Sequence, residues 1–208
     1  MKSFKQLINE AQSIDDLHKE LSAHYKYDSF GGEHLHEYTH DSRPLNKYQW
    51  KVHNNSKTPK VHRLEEKSGV LDAVMNHNKT PHDMTVWSGL HENPHDHAKF
   101  GVVHHPAYLS TSISPKIARD FGSSEGKHVE TNDKGGYDKH IHVLKLHVPK
   151  GSPGAYVGHI SSQPNEKEFV MPRGQSINLN HEQIMKKRMA YGLNKNNFIY
   201  HIHHGEIL

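Results

Sequence analysis

The chain has 208 residues, a length that corresponds to one or two domains. Its 26 lysines and arginines against 23 acidic residues leave a net charge of only +3, too small to indicate a nucleic-acid-binding protein. The absence of cysteine excludes disulfide bonds and thiolate metal sites. No apolar run approaches the roughly 18 residues that span a bilayer, so we expect a soluble protein with no membrane partner.

The first 60 residues predict helices followed by an irregular segment. Residues 3–10 show a short amphipathic pattern, and a second helix begins after Ser13, which suits the N-cap position. Residues 26–60 are polar, rich in Gly, His, Asn and Pro, and show little periodicity, so we expect a loop or linker there. We therefore interpret residues 11–60 as a helical and then irregular polar segment that precedes a body over residues 61–208.

The body opens with a helix and a strand. The helix starts near Val61, is interrupted at Gly69 and ends before Pro81, with apolar residues at helical spacing. The strand is the stretch M-T-V-W-S-G-L, residues 84–90, in which apolar residues alternate.

A second strand leads directly into a second helix of the body. The strand reads A-Y-L-S-T-S-I, residues 107–113. After it, Ser114 suits the N-cap, Pro115 the first helical position and Gly122 the position past the helix end.

The remaining residues predict mainly strands, in the stretches H-I-H-V-L-K-L-H-V-P-K-G (140–151), G-A-Y-V-G (154–158), E-F-V-M-P (168–172) and F-I-Y-H-I-H-H (198–204). A helix over residues 181–190, capped by Asn180 and Gln183, is predicted before the final strand. Because short strands outnumber helices in the body, we expect an α+β fold with a mostly antiparallel core.

Three motifs occur in this body in a fixed order. They are aromatic-x-Gly on the first strand, Ser-Thr-Ser before the helix, and Glu-x-Glu before F-V-M-P-R-G, with V-P-K-G and G-A-Y-V between the last two. In this order they resemble the mono-ADP-ribosyltransferases of the arginine-modifying toxin class, over residues 61–208. The resemblance implies a split antiparallel β-sandwich with flanking helices that holds NAD, a substrate here, in a cleft. It also implies transfer of ADP-ribose to a host protein side chain, with release of nicotinamide and no need for a metal.

The two glutamates of the last motif suit this chemistry. Breaking the bond between nicotinamide and ribose develops positive charge on the sugar, so a carboxylate near the ribose is valuable, and we assign Glu168 to that role. Residues i and i+2 of an extended chain face the same side, so Glu166 is expected to point into the same cleft. A second carboxylate can bind and orient a cationic guanidinium, which favours an arginine acceptor.

The resemblance also implies the other site residues. Ser110, with Thr111 and Ser112, is expected to order the cleft by hydrogen bonds to the catalytic glutamate and the ribose, which makes Ser110 a catalytic candidate as well as an NAD ligand. Phe121 is expected to pack against nicotinamide. Nucleic acid is not excluded as the acceptor.

The first strand departs from the family pattern, because Trp87-Ser88-Gly89 stands where the class usually has aromatic-Arg-Gly. These three residues are still expected on the NAD-binding side. Either Ser88 and nearby backbone N–H groups hold an NAD phosphate, or another cation such as Arg63, Arg119 or His91 replaces the arginine, or catalysis is weaker.

The N-terminus carries a separate resemblance. M-K-S-F-K-Q-L-I-N-E-A resembles the capsid-targeting leaders of internal head proteins of large tailed bacteriophages, which a protease removes after hydrophobic-x-Glu. Residues 1–10 would then be a leader cleaved after Glu10. The mature protein would lie inside the virion capsid and reach the host cytoplasm with the genome.

Two other functions remain open at this point. One is a catalytically weak or dead module that binds NAD or a host protein, which the missing arginine favours. The other is a histidine-rich metal-binding protein, because three segments cluster histidines, namely residues 34–40, 91–97 and 201–204. None of the three segments has a recognised metal-binding spacing, so scattered surface histidines remain the simpler interpretation, with no metal ligand assigned.

Overall fold

The computed structural model describes residues 13–55, 57–125, 128–132, 135–188 and 196–208. The predicted helix over residues 3–10 and the leader lie outside these ranges. The helices are α1 (Ile14–His24), α2 (Ser29–His40), α3 (Arg43–Asn54), α4 (His62–His77) and α5 (Pro115–Glu125). The strands are β1 (Met84–Leu90), β2 (Val102–His105), β3 (Leu109–Ser112), β4 (Val129–Thr131), β5 (Tyr137–Val148), β6 (Ala155–Tyr156), β7 (Glu168–Met171), β8 (Gln175–Arg188) and β9 (Asn197–Ile207). No helix in these ranges is both long and apolar enough to cross a membrane.

The sequence predicts helices where α1, α4 and α5 lie, and these three predictions are confirmed with two corrections. Ser13 caps α1 by accepting a hydrogen bond from the N–H of Asp16 at 3.2 Å. Gly69 does not interrupt α4, which runs on through it, and Gly122 lies inside α5 and not past its end. Both glycines are tolerated because tertiary packing outweighs their low helix propensity.

The prediction of a loop or linker over residues 26–60 is wrong, because α2 and α3 occupy most of it. The Asp28 side chain caps α2 by accepting a hydrogen bond from the N–H of Gly31 at 2.6 Å. Each helix buries an apolar pair three residues apart, Leu35 with Tyr38 and Leu45 with Tyr48. Two apolar residues in a polar stretch are a weak periodic signal, and the neighbouring core supplies the rest of the stabilisation. The division of the chain at residue 60 stays a prediction.

The prediction of a helix over residues 181–190 is also wrong for residues 181–188, because these residues belong to β8. The pairing of β8 with β9 runs over eleven registered pairs, among them Gln183 with Ile202 and Met185 with Tyr200. The helix-forming residues of this stretch therefore yield to a long antiparallel ladder.

The strands follow the order β2-β8-β9-β5-β1-β3-β7-β6, with β4 on β5. The pairings are antiparallel except that of β5 with β9, which is parallel. At one position the sheet is nearly divided, because β1 and β3 share a single registered pair, Trp87 with Ser112. The predicted α+β class and its largely antiparallel, split sheet are confirmed.

Three apolar clusters hold the two halves of the sheet and the helices together. The first lies between the halves, where Val86 and Leu146 of the larger half meet Phe169 of the smaller one, with Leu21 of α1. The second packs α2, α3 and α4 on β6, β7 and Tyr108, which precedes β3. The third packs α5 through Ala118 on β1, β5 and β9. The helices therefore flank the division of the sheet and leave it open as a cleft.

Candidate active site

A cleft of about 400 Å³ opens where β1 and β3 part. All nine residues predicted for the site line it, namely Trp87, Ser88, Gly89, Ser110, Thr111, Ser112, Phe121, Glu166 and Glu168. The cleft volume falls within the range of roughly 300–1,000 Å³ that ligand pockets occupy. Residues distant in the sequence are therefore brought together as a single lining.

The ladder between β3 and β7 brings the Ser-Thr-Ser and Glu-x-Glu motifs side by side, with Ser112 registered opposite Glu168. The Thr111 hydroxyl donates to the carbonyl of Phe169 at 2.6 Å. The Ser112 hydroxyl donates to the carbonyl of Glu166 at 2.6 Å and accepts from the N–H of Ser114 at 3.0 Å. These two hydroxyls therefore fix the backbone around the glutamates, while Ser110 hydrogen-bonds the Glu168 side chain.

Glu168 is a buried carboxyl group at the wall of the cleft, 7% exposed, and is the first residue of β7. Burial raises its pKa to about 7, the hydrogen bond from Ser110 opposes this rise, and the charge of Glu166 adds to it. The Ser110 hydroxyl also lies 3.4 Å from the hydroxyl of Tyr38, which belongs to α2. Glu168 is therefore held ready to ionise near neutral pH.

Glu166 reaches the same cleft by a different route from the one that the sequence suggests. It ends a short 3-10 helix over Pro164–Glu166, and Lys167 after it has a positive φ of 47°. The backbone there is a turn, so the argument from an extended i, i+2 pair is wrong although both side chains line the cleft. Glu166 is half-buried, and burial raises its pKa. Nζ of Lys167 forms an ion pair with Oδ1 of Asp15 on α1 at 2.5 Å.

The opposite wall consists of β1 and α5 in close contact. A Cβ at Gly89 would lie 2.4 Å from the carbonyl oxygen of Ala118 and 2.5 Å from the backbone nitrogen of Gly122, so only glycine fits. This contact sets α5 against β1 and leaves Phe121 at the cleft, 44% exposed. Trp87 is buried under the Nζ of Lys145, which lies 5.3 Å from its ring centroid.

Ser88 lines the cleft, as predicted, but its hydroxyl is engaged within the protein. Its side chain is buried, and its hydroxyl donates to the carbonyl of Ser110 at 2.9 Å, which ties β1 to β3. Of the three proposed substitutes, His91 is the one found among the described residues of the cleft lining. Arg119 lies over the ring of Tyr200, 5.9 Å from its centroid, and Arg63 is on α4.

Sequence reasoning missed the corner between α2 and α3, which supplies residues 38–43 to the lining. Arg43 is the first residue of α3, its side chain is largely exposed, and its Nε lies 3.0 Å from Oδ1 of Asp41. A cation at a helix N-terminus beside the cleft can attract phosphate groups. The stretch Ser42-Arg43-Pro44 was a usable signal, because proline favours the first turn of a helix.

Comparison with known proteins agrees with this geometry. The model of the family described as ADP-ribosyltransferase exoenzyme matches residues 10–199. NAD(+)-arginine ADP-ribosyltransferase EFV from Enterococcus faecalis (strain ATCC 700802 / V583) is 34% identical over 103 residues, half of this chain and 19% of that protein. The chain thus aligns with about a fifth of the length of that relative.

Two solved structures show the same fold. Plx2a, an ADP-ribosyltransferase toxin from Paenibacillus larvae, has a TM-score of 0.66 and 14% identity, over 94% of this chain and 96% of its own. C3stau2 from S. aureus, solved with NAD, has a TM-score of 0.61 and 16% identity, over 91% of this chain and 93% of its own. The family uses NAD as its substrate. The chain belongs to the ADP-ribosyltransferase exoenzyme family.

Proposed function

We propose that this chain transfers ADP-ribose from NAD to the guanidinium group of an arginine in a host protein and releases nicotinamide. The observation that carries the proposal is the pairing of Glu168, buried and hydrogen-bonded by Ser110, with Glu166 on the same cleft. The arginine acceptor is further supported by the activity in the name of the Enterococcus faecalis relative.

Glu168 is the group that meets the positive charge of the reaction. When bound, NAD supplies an ADP-ribosyl group whose bond to nicotinamide breaks, and both electrons go to the nicotinamide nitrogen. The ionised Glu168 carboxylate stabilises the positive charge that develops on the ribose, most effectively because it is buried. Ser110 holds that carboxylate in place by its hydrogen bond.

Glu166 acts on the acceptor. Its carboxylate pairs with the incoming guanidinium and takes the proton that the attacking nitrogen gives up when it bonds to the ribose carbon. Burial raises the pKa of Glu166, which makes it a stronger base than an exposed glutamate. Glu166 is therefore needed for transfer to arginine but not for cleavage of NAD by water.

The cleft lining fits NAD. Phe121 presents an exposed aromatic ring for the nicotinamide, and Trp87 supports the wall behind it. Arg43 at the start of α3, with His91, supplies the positive charge for the phosphates that the usual arginine would give. Ser88 and Gly89 contribute shape and the junction between β1 and β3.

The proposal is tested by measuring two products from the same reactions. Wild type, Glu166→Gln and Glu168→Gln are incubated with labelled NAD and agmatine, a small guanidine acceptor, and both nicotinamide release and labelled agmatine are quantified. We expect wild type to give both products, Glu166→Gln to release nicotinamide without labelling agmatine, and Glu168→Gln to give neither. Absence of nicotinamide release by wild type, with NAD bound, would instead favour the alternative of a dead NAD-binding module.

We further propose that residues 1–10 are a capsid-targeting leader and that the mature protein enters the host with a phage genome. The proposal is supported by the Ile8-Asn9-Glu10 sequence, which fits hydrophobic-x-Glu. Mass spectrometry of purified virions should find a peptide that begins at Ala11. An intact Met1 in the virion, or no protein there, would refute it.

A further inference from the structure

Three adjacent strands bring two buried histidines and a glutamate together away from the cleft. His142 lies on β5, His203 on β9 and Glu182 on β8, in the order in which these strands pair. One ligand atom of each residue lies within 4.8 Å of the other two. His203 is fully buried and His142 is 8% exposed, whereas the Glu182 side chain is 29% exposed. The cluster therefore has a buried nitrogen side and an oxygen side that opens to solvent.

The distance between the two imidazoles suits a shared ion. Nδ1 of His142 lies 3.0 Å from Nε2 of His203, and the two rings stack at 18° with centroids 5.2 Å apart. Two nitrogens that bind one tetrahedral zinc ion at about 2.0–2.1 Å each lie about 3.3 Å apart. The imidazoles therefore need to separate by only a few tenths of an ångström to become two ligands of one ion.

Neighbouring histidines hold Glu182 toward the cluster. Nδ1 of His201 lies 2.6 Å from Oε1 of Glu182, and Nε2 of His201 lies 2.7 Å from Nδ1 of His140. A ligand carboxylate is commonly fixed by such outer hydrogen bonds, which leave its second oxygen for the ion.

We propose that His142, Glu182 and His203 bind one divalent transition-metal ion of the zinc class, with His201 orienting Glu182. Two imidazoles and one carboxylate favour zinc over calcium or magnesium, which prefer oxygen ligands alone. None of the three residues is among the described residues of the cleft lining, so the ion takes no part in the transfer. It cross-links β5, β8 and β9, and it gives a function to the histidine cluster at residues 201–204.

The test uses untagged protein that has been treated with EDTA and desalted. Zn²⁺ is titrated by calorimetry, and Co²⁺ is titrated by absorption, since its visible bands report tetrahedral coordination. We expect one ion per chain in wild type, and a rise of the unfolding temperature by about 5–10 °C when free Zn²⁺ is 100 times Kd. Glu182→Gln should weaken Zn²⁺ binding at least 10-fold, and His203→Asn should abolish it.

A second group in the structure supplies the matched control. His128, Glu130 and His140 also lie within ligand distance of one another, but His128 and Glu130 are exposed. His128→Asn should leave Zn²⁺ affinity and stoichiometry unchanged. If His203→Asn fails to fold, the Zn²⁺ affinity of Glu182→Gln tests the proposal, because Glu182 is partly exposed and glutamine has nearly the same size. Absence of tight Zn²⁺ binding by wild type, binding unchanged in Glu182→Gln, or binding lost in His128→Asn would each overturn the proposal.

Discussion

Replacing the buried glutamate of the cleft should make the protein more stable at alkaline pH while it removes activity. The pKa of Glu168 is about 7, against 4.5 for an ordinary glutamate, mainly because of burial. Below pH 4.5 both the folded and the unfolded chain keep the proton. Between pH 4.5 and about 7 only the folded chain keeps the proton on Glu168, so the free energy of unfolding falls as the pH rises. Above pH 7 the free energy of unfolding has fallen by the full amount. At 1.36 kcal/mol for each pH unit between these values, ionised Glu168 lowers the free energy of unfolding by about 3 kcal/mol.

The measurement is chemical denaturation of wild type and Glu168→Gln at pH 5 and pH 8. Glutamine resembles the protonated acid in size, so at pH 5 the free energies of unfolding of the two proteins should differ by less than about 1 kcal/mol. At pH 8 the variant should be more stable by about 3 kcal/mol. Titrating groups that do not interact with Glu168, including the histidines, cancel in the difference, and Glu66→Gln on the exposed face of α4 is the control for removing a surface carboxylate. A difference that does not change between pH 5 and pH 8 would refute the buried, proton-binding carboxyl group.

Four further results are expected. For NAD cleavage, kcat/KM should rise as the pH passes about 7, because Glu168 must be ionised, and a flat profile from pH 6 to 8 would contradict this. Arg43→Gln should raise KM for NAD roughly 10- to 100-fold, as expected for a lost contact of about 1.5–3 kcal/mol, whereas Arg63→Gln on α4 should not change it. Gly89→Ala should lower the free energy of unfolding by about 1–3 kcal/mol, because the added Cβ meets backbone atoms of α5. Gly69→Ala, which has open space around it, should leave the free energy of unfolding unchanged or raise it by up to about 1 kcal/mol. Equal effects of the two substitutions would be inconsistent with close contact between β1 and α5. Arg173→Met should destabilise by about 1–3 kcal/mol, since Arg173 binds Asp72 at 2.7 Å and Gln49 at 2.8 Å; an unchanged unfolding temperature would contradict a structural role.

The sequence predicts the residues that line the cleft better than it predicts the helices and strands around them. Strands with alternating apolar residues and a helix with Ser114 and Pro115 at its start are readable locally, because their signals lie in neighbouring residues. The resemblance implies that the Ser-Thr-Ser and Glu-x-Glu motifs share one cleft, and the structure adds that their strands pair, with Ser112 opposite Glu168.

The errors have physical causes in tertiary context. The helices α2 and α3 each depend on two buried apolar residues and on a core supplied by distant strands. Ser42-Arg43-Pro44 therefore indicates the start of a helix, but not that Arg43 lies at the cleft. Residues 181–188 contain good helix formers, but β9 comes later in the chain and pairs with them. Glu166 reaches the cleft through a turn with Lys167 at positive φ, which no alternation pattern predicts.

Arginine modification is tested most directly by mass spectrometry of host proteins after incubation of a lysate with NAD and the purified chain. We expect ADP-ribose on arginine side chains with wild type, and none with Glu168→Gln or Glu166→Gln at equal protein concentration. ADP-ribose found only on residues other than arginine, or equal modification by wild type and Glu168→Gln, would contradict it.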